Sequence, residues 1–347
     1  MEPIKTTRAG GGVPRRVDAF CHFAPPALLD YLEAKTGRPH PFRGLFKARA
    51  ILTDSRKRIA FMDARKLDVS VLVPLPWIEV TPTVWRNAGQ AAEAARICND
   101  ALAQVVRADP ARFYGVALIP TTEPQAMVRE LERAVKELGF VGGLIAVGPT
   151  VKRMDDPAME VLFQQAARLE VPLWLHPSRP ITYPDYADEP ASKFLDWQTL
   201  GWLHDTSTAM TRIVFAGLFE RYPRLKIITH HHGALIPLFA NRMEMGYRSF
   251  AQDGMKFPTP IKPPYTDHFR KFYCDTATFG FEPLVLQQAL DFFGPEKMLF
   301  GTDTPMDAAE GEFLSNAARS VESLRASEAD KSRIFAGNFL SLIRKAS

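Results

Sequence analysis

The sequence predicts an α/β protein built as a single (β/α)8 TIM barrel, with loop insertions covering the C-terminal mouth. Three observations carry that expectation. Eight short apolar, β-branched runs alternate with stretches of helical periodicity. Four of those runs stop alike, on His or Asp and then Pro or Gly: the first at His22, the fifth at His176, the sixth at His230-His231-His232-Gly233 and the eighth at Asp303. Finally, 347 residues suit one barrel with insertions, and no compositional break divides the chain.

In order, a first strand over 17–22 leads through Pro25-Pro26 into a helix over 26–34 and a loop holding Gly37, Pro39, His40 and Pro41. A helix over 55–66 precedes the second strand at 69–74. The long helix 91–109, stopped by Pro110, leads to a third strand at 113–119. Met127, Leu131, Ala134, Val135 and Leu138 recur at helical spacing over 124–138, before Gly139 and a fourth strand at 142–147. A helix over 159–169 leads to the fifth strand, 171–175. Residues 181–198 read as irregular, and 206–222 as a helix entering the sixth strand through Pro223. The stretch 245–268, rich in Pro and aromatics, reads as a cover over the mouth. The seventh strand is expected at 271–275, a helix at 283–293, the eighth strand at 297–301 and a closing helix at 328–343. Residues 1–16, polar and Gly-rich without an apolar core, read as a flexible tail ahead of a barrel domain over 17–347.

A net charge of +4 is small for this length, and basic residues are scattered without aromatic interleaving, which argues against a nucleic-acid partner. No apolar run approaches a bilayer span. Cys21, Cys98 and Cys274 are odd in number and widely spaced, so a disulfide framework is not expected and a cytoplasmic enzyme is. Alternation turns Cys21 away from the side of Phe20 and His22, which makes it a packing residue.

His22, His176, His231 and Asp303 would thus converge on the C-terminal mouth, where barrels keep their chemistry. Imidazole and carboxylate are ligands for Zn, Mn or Fe. The pattern resembles the amidohydrolase superfamily, in the branch of aminocarboxymuconate semialdehyde decarboxylase and the aromatic-acid decarboxylases. The likeness runs from about 17 to 343 and includes Asn99-Asp100, Asp109-Pro110-Ala111-Arg112-Phe113, Gly201-Trp202-Leu203-His204-Asp205, Phe219-Glu220-Arg221-Tyr222-Pro223 and Gly337-Asn338-Phe339.

That resemblance implies one divalent metal ion, zinc first and Mn or Fe as alternatives, on His22, His176 and Asp303. It also implies catalytic work by His231, polarising substrate or activating water, and by Asp303 as proton carrier. The family's first strand supplies two ligands, but here the first position is Phe20, which cannot bind metal. A neighbouring histidine could fill that position, although alternation turns His230 and His232 away from the side His231 uses, favouring a supporting role for both. His40 reads as solvent-exposed, His204 as a capping or supporting residue and His268 as peripheral. Arg58, Arg179, Trp202 and Arg242 are candidates to hold a substrate carboxylate or ring. The expected activity is metal-dependent decarboxylation or hydrolysis of a small aromatic or unsaturated carboxylic acid, by a homodimer. Phe20 leaves two alternatives: a non-haem iron oxygenase, or a metal-poor partner subunit of an active paralogue.

Overall fold

Eight parallel strands in sequential order form the barrel: β1 Val17–His22, β2 Val69–Val73, β3 Phe113–Leu118, β4 Gly142–Val147, β5 Leu173–Pro177, β6 Ile227–Thr229, β7 Tyr273–Asp275 and β8 Met298–Leu299. The computed structural model describes residues 13–254, 259–307 and 310–343. Most of the expected tail, residues 1–12, lies outside them, as do 344–347.

The barrel closes where β8 and the segment after it run beside β1. Ala19 N donates to Phe300 O at 2.7 Å, Thr302 N and Asp303 N both donate to Phe20 O (3.1 and 2.9 Å), and His22 N donates to Thr304 O at 2.7 Å. Buried Asp18 reinforces this seam, accepting from the Thr302 hydroxyl at 2.5 Å and from Thr302 N at 3.1 Å. Burial pushes its carboxyl up to about 7, against the pull of Thr302 and Arg58.

Inside the barrel the floor of the mouth is apolar and filled. Trp174 on β5 is wholly buried and reaches across to donate from Nε1 to Ala19 O at 3.0 Å. This fit needs Gly142 on β4: a Cβ there would stand 2.1 Å from Pro172 O and 2.6 Å from the Trp174 ring. Outside, helices cover the strands. Asn99, buried on the helix Ala88–Ala108, closes both the N–H and the carbonyl of Leu118 and donates to Glu130.

Strand positions match expectation, though β7 and β8 are shorter and β5 extends to Pro177, so His176 stands within its strand. The helix expected over 206–222 is two, Gly201–Phe215 and Leu218–Arg221, because Gly217 between them takes φ 70°. The closing helix is broken by a π turn, Arg333–Gly337. Helices Pro82–Trp85 and Glu312–Glu322 were not anticipated.

The cover expected over 245–268 is a larger correction. Its first part is the end of a scaffold helix, Ile236–Gln252, returning from the mouth. Further on, Thr259 donates to Phe215 O and Ile261 is buried. Phe215 ends the helix that follows β5, so this segment lies at the end of the barrel away from the mouth. The mouth is bordered instead by residues after β1, β2 and β5. His40, Phe42 and Phe46 gather on Trp77, and His40, expected to be exposed, is buried there with Thr81 Oγ1 3.4 Å from its Nε2.

In the loop after β2, both carboxylate oxygens of buried Glu79 lack a hydrogen-bond partner among the described residues, and burial pushes its pKa from 4.5 up to about 7. A raised carboxyl favours the folded state fully below pH 4.5, and that contribution is lost as pH rises through about 7. Glu79→Gln removes the titration. Its unfolding free energy, from urea denaturation, should therefore gain on the wild type between pH 4.5 and 8, by up to about 3 kcal/mol. A pH-independent difference would contradict the burial of an ionisable Glu79.

Candidate metal centre

Three imidazoles and one carboxylate meet at the C-terminal end of the barrel. β1 delivers His22, β5 delivers His176, the turn after β6 delivers His230 and the segment after β8 delivers Asp303. All four are at least 97% buried. His22 Nε2 lies 3.3 Å from His176 Nε2 and 2.9 Å from Asp303 Oδ1, and His230 Nε2 lies 3.3 Å from that same oxygen.

The opposite edge of each ring decides its tautomer. His22 Nδ1 faces Val73 O at 3.1 Å, His176 Nδ1 faces Pro177 O at 2.6 Å and His230 Nδ1 faces the Asp275 carboxylate. Carbonyl and carboxylate oxygens only accept, so each Nδ1 carries a proton, and each Nε2, turned to the centre, is left as the atom that can give a lone pair to a cation. Lone pairs facing one another and a carboxylate repel unless a cation lies among them. Donors about 2.0–2.1 Å from a tetrahedral zinc stand about 3.3 Å apart, and the three separations His22–His176, His22–Asp303 and His230–Asp303 fall close to that. The residues present therefore fit a divalent metal.

The field at the centre is consistent. Burial opposes charge on His176, and the neighbouring His22 and His230 add to this, holding its pKa well below the ordinary value. Burial also opposes charge on Asp303, but the adjoining His22 and His230 outweigh it and keep the carboxyl well below the usual range, hence ionised. For His230, burial is outweighed by Asp275 and Asp303, which raise its pKa to about 9. Two carboxylates that favour a proton on His230 favour a metal cation beside it equally.

Alternation put His230 and His231 on opposite sides, and here the structure differs. β6 ends at Thr229, and His231 and His232 take left-handed φ of 54° and 50°, so the period of two no longer applies. Both the His230 and His231 rings turn to the centre, 3.8 Å apart at their centroids, and His231 keeps a nitrogen within 4.8 Å of ligand atoms on His230 and Asp303. Neither His231 nitrogen has a hydrogen-bond partner among the described residues. Burial and the neighbouring His230 hold its pKa well below the ordinary value, so it is a neutral ring that can both donate and accept. His232 donates to Asp275 through its backbone N–H at 3.3 Å, while its ring Nδ1 has no partner among the described residues and burial lowers its pKa to about 4.

Aromatic rings line the approach. Trp202 stands 6.0 Å from His176 and 6.5 Å from His231, its Nε1 donating to Arg179 O at 3.2 Å. Phe279 meets His231 edge-on and stacks on Phe313. Of the expected substrate residues, only Trp202 is brought to the centre.

Two of the three arginines are committed elsewhere. Arg58 is fully buried, donating to the carbonyls of His22 and Ile51, so it holds the β1 end from behind. Arg179 spends its fork on Asp205, at 2.7 and 3.0 Å, a bidentate pair that suits the planar guanidinium. Arg242 is exposed on the helix Ile236–Gln252 and makes no ion pair among the described residues. Cys21 packs with its thiol on Val71 O and His268 pairs peripherally with Glu220, as expected, whereas His204, expected to cap or support, is exposed beside Asp205 and does not cap its helix. Asp275 was missed, although β7 ends on it just as the ligand strands end on His or Asp.

Fold and centre together define a barrel protein with a histidine–carboxylate cluster fit for a metal at its C-terminal mouth. A family profile described as Amidohydrolase matches residues 17–340, and the chain belongs to that family, in its aminocarboxymuconate semialdehyde decarboxylase-like branch. It is 30% identical over 295 residues to the gamma-resorcylate decarboxylase of a Polaromonas species, covering 83% of this chain and 86% of that one. It is 28% identical over 291 residues to the 2-amino-3-carboxymuconate-6-semialdehyde decarboxylase of Dictyostelium discoideum, covering 84% and 76%. Among solved structures it resembles a Polaromonas dihydroxybenzoic acid decarboxylase with bound manganese and the inhibitor 2-nitroresorcinol, with a TM-score of 0.75, 28% identity and 95% and 97% of the two chains covered.

Arg58 gives a direct test of how the centre is supported. Arg58→Met leaves two buried carbonyls without their donor, and should lower the unfolding free energy by about 3 kcal/mol in urea denaturation. A loss under about 1 kcal/mol would show that the guanidinium does not hold the β1 end.

Proposed function

We propose that the protein is a metal-dependent decarboxylase of small aromatic or unsaturated carboxylic acids, a carbon–carbon lyase. The observation that carries this reading is the meeting of three imidazole lone pairs with the Asp303 carboxylate, under a mouth lined by Trp202 and Phe279. The activities named for its relatives support it. His22, His176 and Asp303 are the ligands expected from the family. A bound cation supplies Lewis-acid stabilisation of negative charge on the substrate's oxygens.

The chain's own residues do the rest. Trp202, with Phe279 and Phe313, offers apolar faces to a planar ring and keeps water from it. Neutral His231 donates its N–H to a substrate oxygen and polarises it. Asp303, ionised at rest, accepts a proton from the substrate hydroxyl and passes it to the carboxylate-bearing carbon. The bond to the carboxylate carbon then breaks, CO₂ leaves and its electron pair restores the ring. Arg58 and Arg179 act on this site from outside it, through His22 and Trp202.

Zinc suits a nitrogen-rich donor set, and the manganese of the Polaromonas relative makes Mn the other candidate. Among the described residues no helix is long and apolar enough to cross a membrane. The homodimer belongs to the same proposal, supported by exposed Phe194, Leu195 and Leu200 near the mouth. A cytoplasmic setting belongs to it as well.

Elemental analysis of protein purified without added metal should find about one equivalent of Zn or Mn per chain, and His176→Ala should lose it. Iron with O₂ uptake would point to the oxygenase reading, and no metal at all to a partner subunit. Dihydroxybenzoates assayed for CO₂ release should be turned over, with kcat about 10²–10⁴-fold lower in His231→Ala. Metal-loaded protein inert towards every such acid would overturn the decarboxylase reading.

A further inference from the structure

We propose that His230 is itself a metal ligand, taking the coordination position that Phe20 cannot fill, so that His22, His176, His230 and Asp303 hold the ion together. This rests on the metal-dependent reading and alters its ligand set, moving one ligand from β1 to the turn after β6.

Four observations lead there. First, the His230 ring is held as a ligand is held. Asp275 takes its Nδ1 proton from behind, which fixes the tautomer and raises the basicity of Nε2. Second, that Nε2 is buried and has no hydrogen bond of acceptable geometry among the described residues, although Asp303 Oδ1 is 3.3 Å away. A purely supporting histidine would be expected to pair its second nitrogen.

Third, it converges with the expected ligands: one ligand atom on each of His22, His176 and His230 lies within 4.8 Å of the other two, and its Nε2 is 3.3 Å from Asp303 Oδ1. Fourth, the Phe20 ring lies flat on the His230 imidazole, 3.9 Å between centroids and 9° between planes. The side chain that cannot bind metal is now the wall setting the plane of the one that replaces it. His232 also has an unpartnered ring nitrogen, but its ring joins neither group of converging ligand atoms among the described residues.

The two changes make one exchange. An imidazole at position 20 and the one at 230 would compete for the same space, and Phe20 resolves the conflict in favour of His230. The site keeps three nitrogens and one carboxylate, so its charge and donor softness suit the same class of divalent ion.

Pulsed electron paramagnetic resonance on the Cu(II)-loaded wild type counts coordinated imidazoles without any mutation. Three are expected. Two, with the metal bound, overturn the reassignment while leaving the metal-dependent reading standing; no bound metal overturns both. In a second measurement, H230A should bind Co(II) about 100-fold more weakly than wild type while keeping a cooperative unfolding transition. Adding F20H to H230A should recover at least about tenfold of that affinity. Unchanged Co(II) affinity and absorption in H230A would overturn the proposal. Should H230A fail to fold, the imidazole count on the wild type decides alone.

Discussion

The seam between β1 and the segment leaving β8 is the constraint on which the site depends. The Phe20 carbonyl receives two consecutive amide protons, those of Thr302 and Asp303, and Asp18 receives the Thr302 hydroxyl. These bonds close the barrel and, by the same geometry, bring Asp303 to 2.9 Å from His22 Nε2. Residues 281 positions apart in sequence meet because the sheet must pair its last edge with its first. Asp303 takes φ 61° to do so, a conformation an L-residue holds only where its surroundings over-determine it.

The centre is highly polar and sits on an apolar floor of Trp174 and Phe20. Low polarisability below and aromatic rings above strengthen every charge interaction between them. That is why the same burial has opposite results nearby: His176 and His231 are kept neutral, while Asp303 stays ionised. A neutral imidazole that can donate and accept, next to a fixed carboxylate, is a workable pair for moving protons on a bound acid. The left-handed backbone at His231 and His232 is what brings two consecutive imidazoles to one centre.

Much of the fold was legible in local pattern. Strand and helix periods, Pro and Gly stops, and the His or Asp at the strand ends report on the chain within a few residues, and these located all eight strands, His22, His176 and Asp303. Where the pattern failed, non-local packing decided. Gly217 divides one expected helix, and residues 259–261 go to the far end of the barrel because Ile261 has a core to join there. Arg58 looked like a carboxylate clamp by residue type, yet the carbonyls of His22 and Ile51 claim it.

The residue types of the metal centre, and the loss of a ligand at Phe20, were thus written in the chain itself, since a strand end delivers its side chain to the barrel mouth wherever that strand lies. Which imidazoles face the centre was decided only in three dimensions. His230 turns inward because β6 ends one residue before it, two left-handed residues follow, Asp275 anchors one edge of its ring and Phe20 supports its face. Each of those partners lies on another strand, and ring orientation follows from packing between strands rather than from order along one.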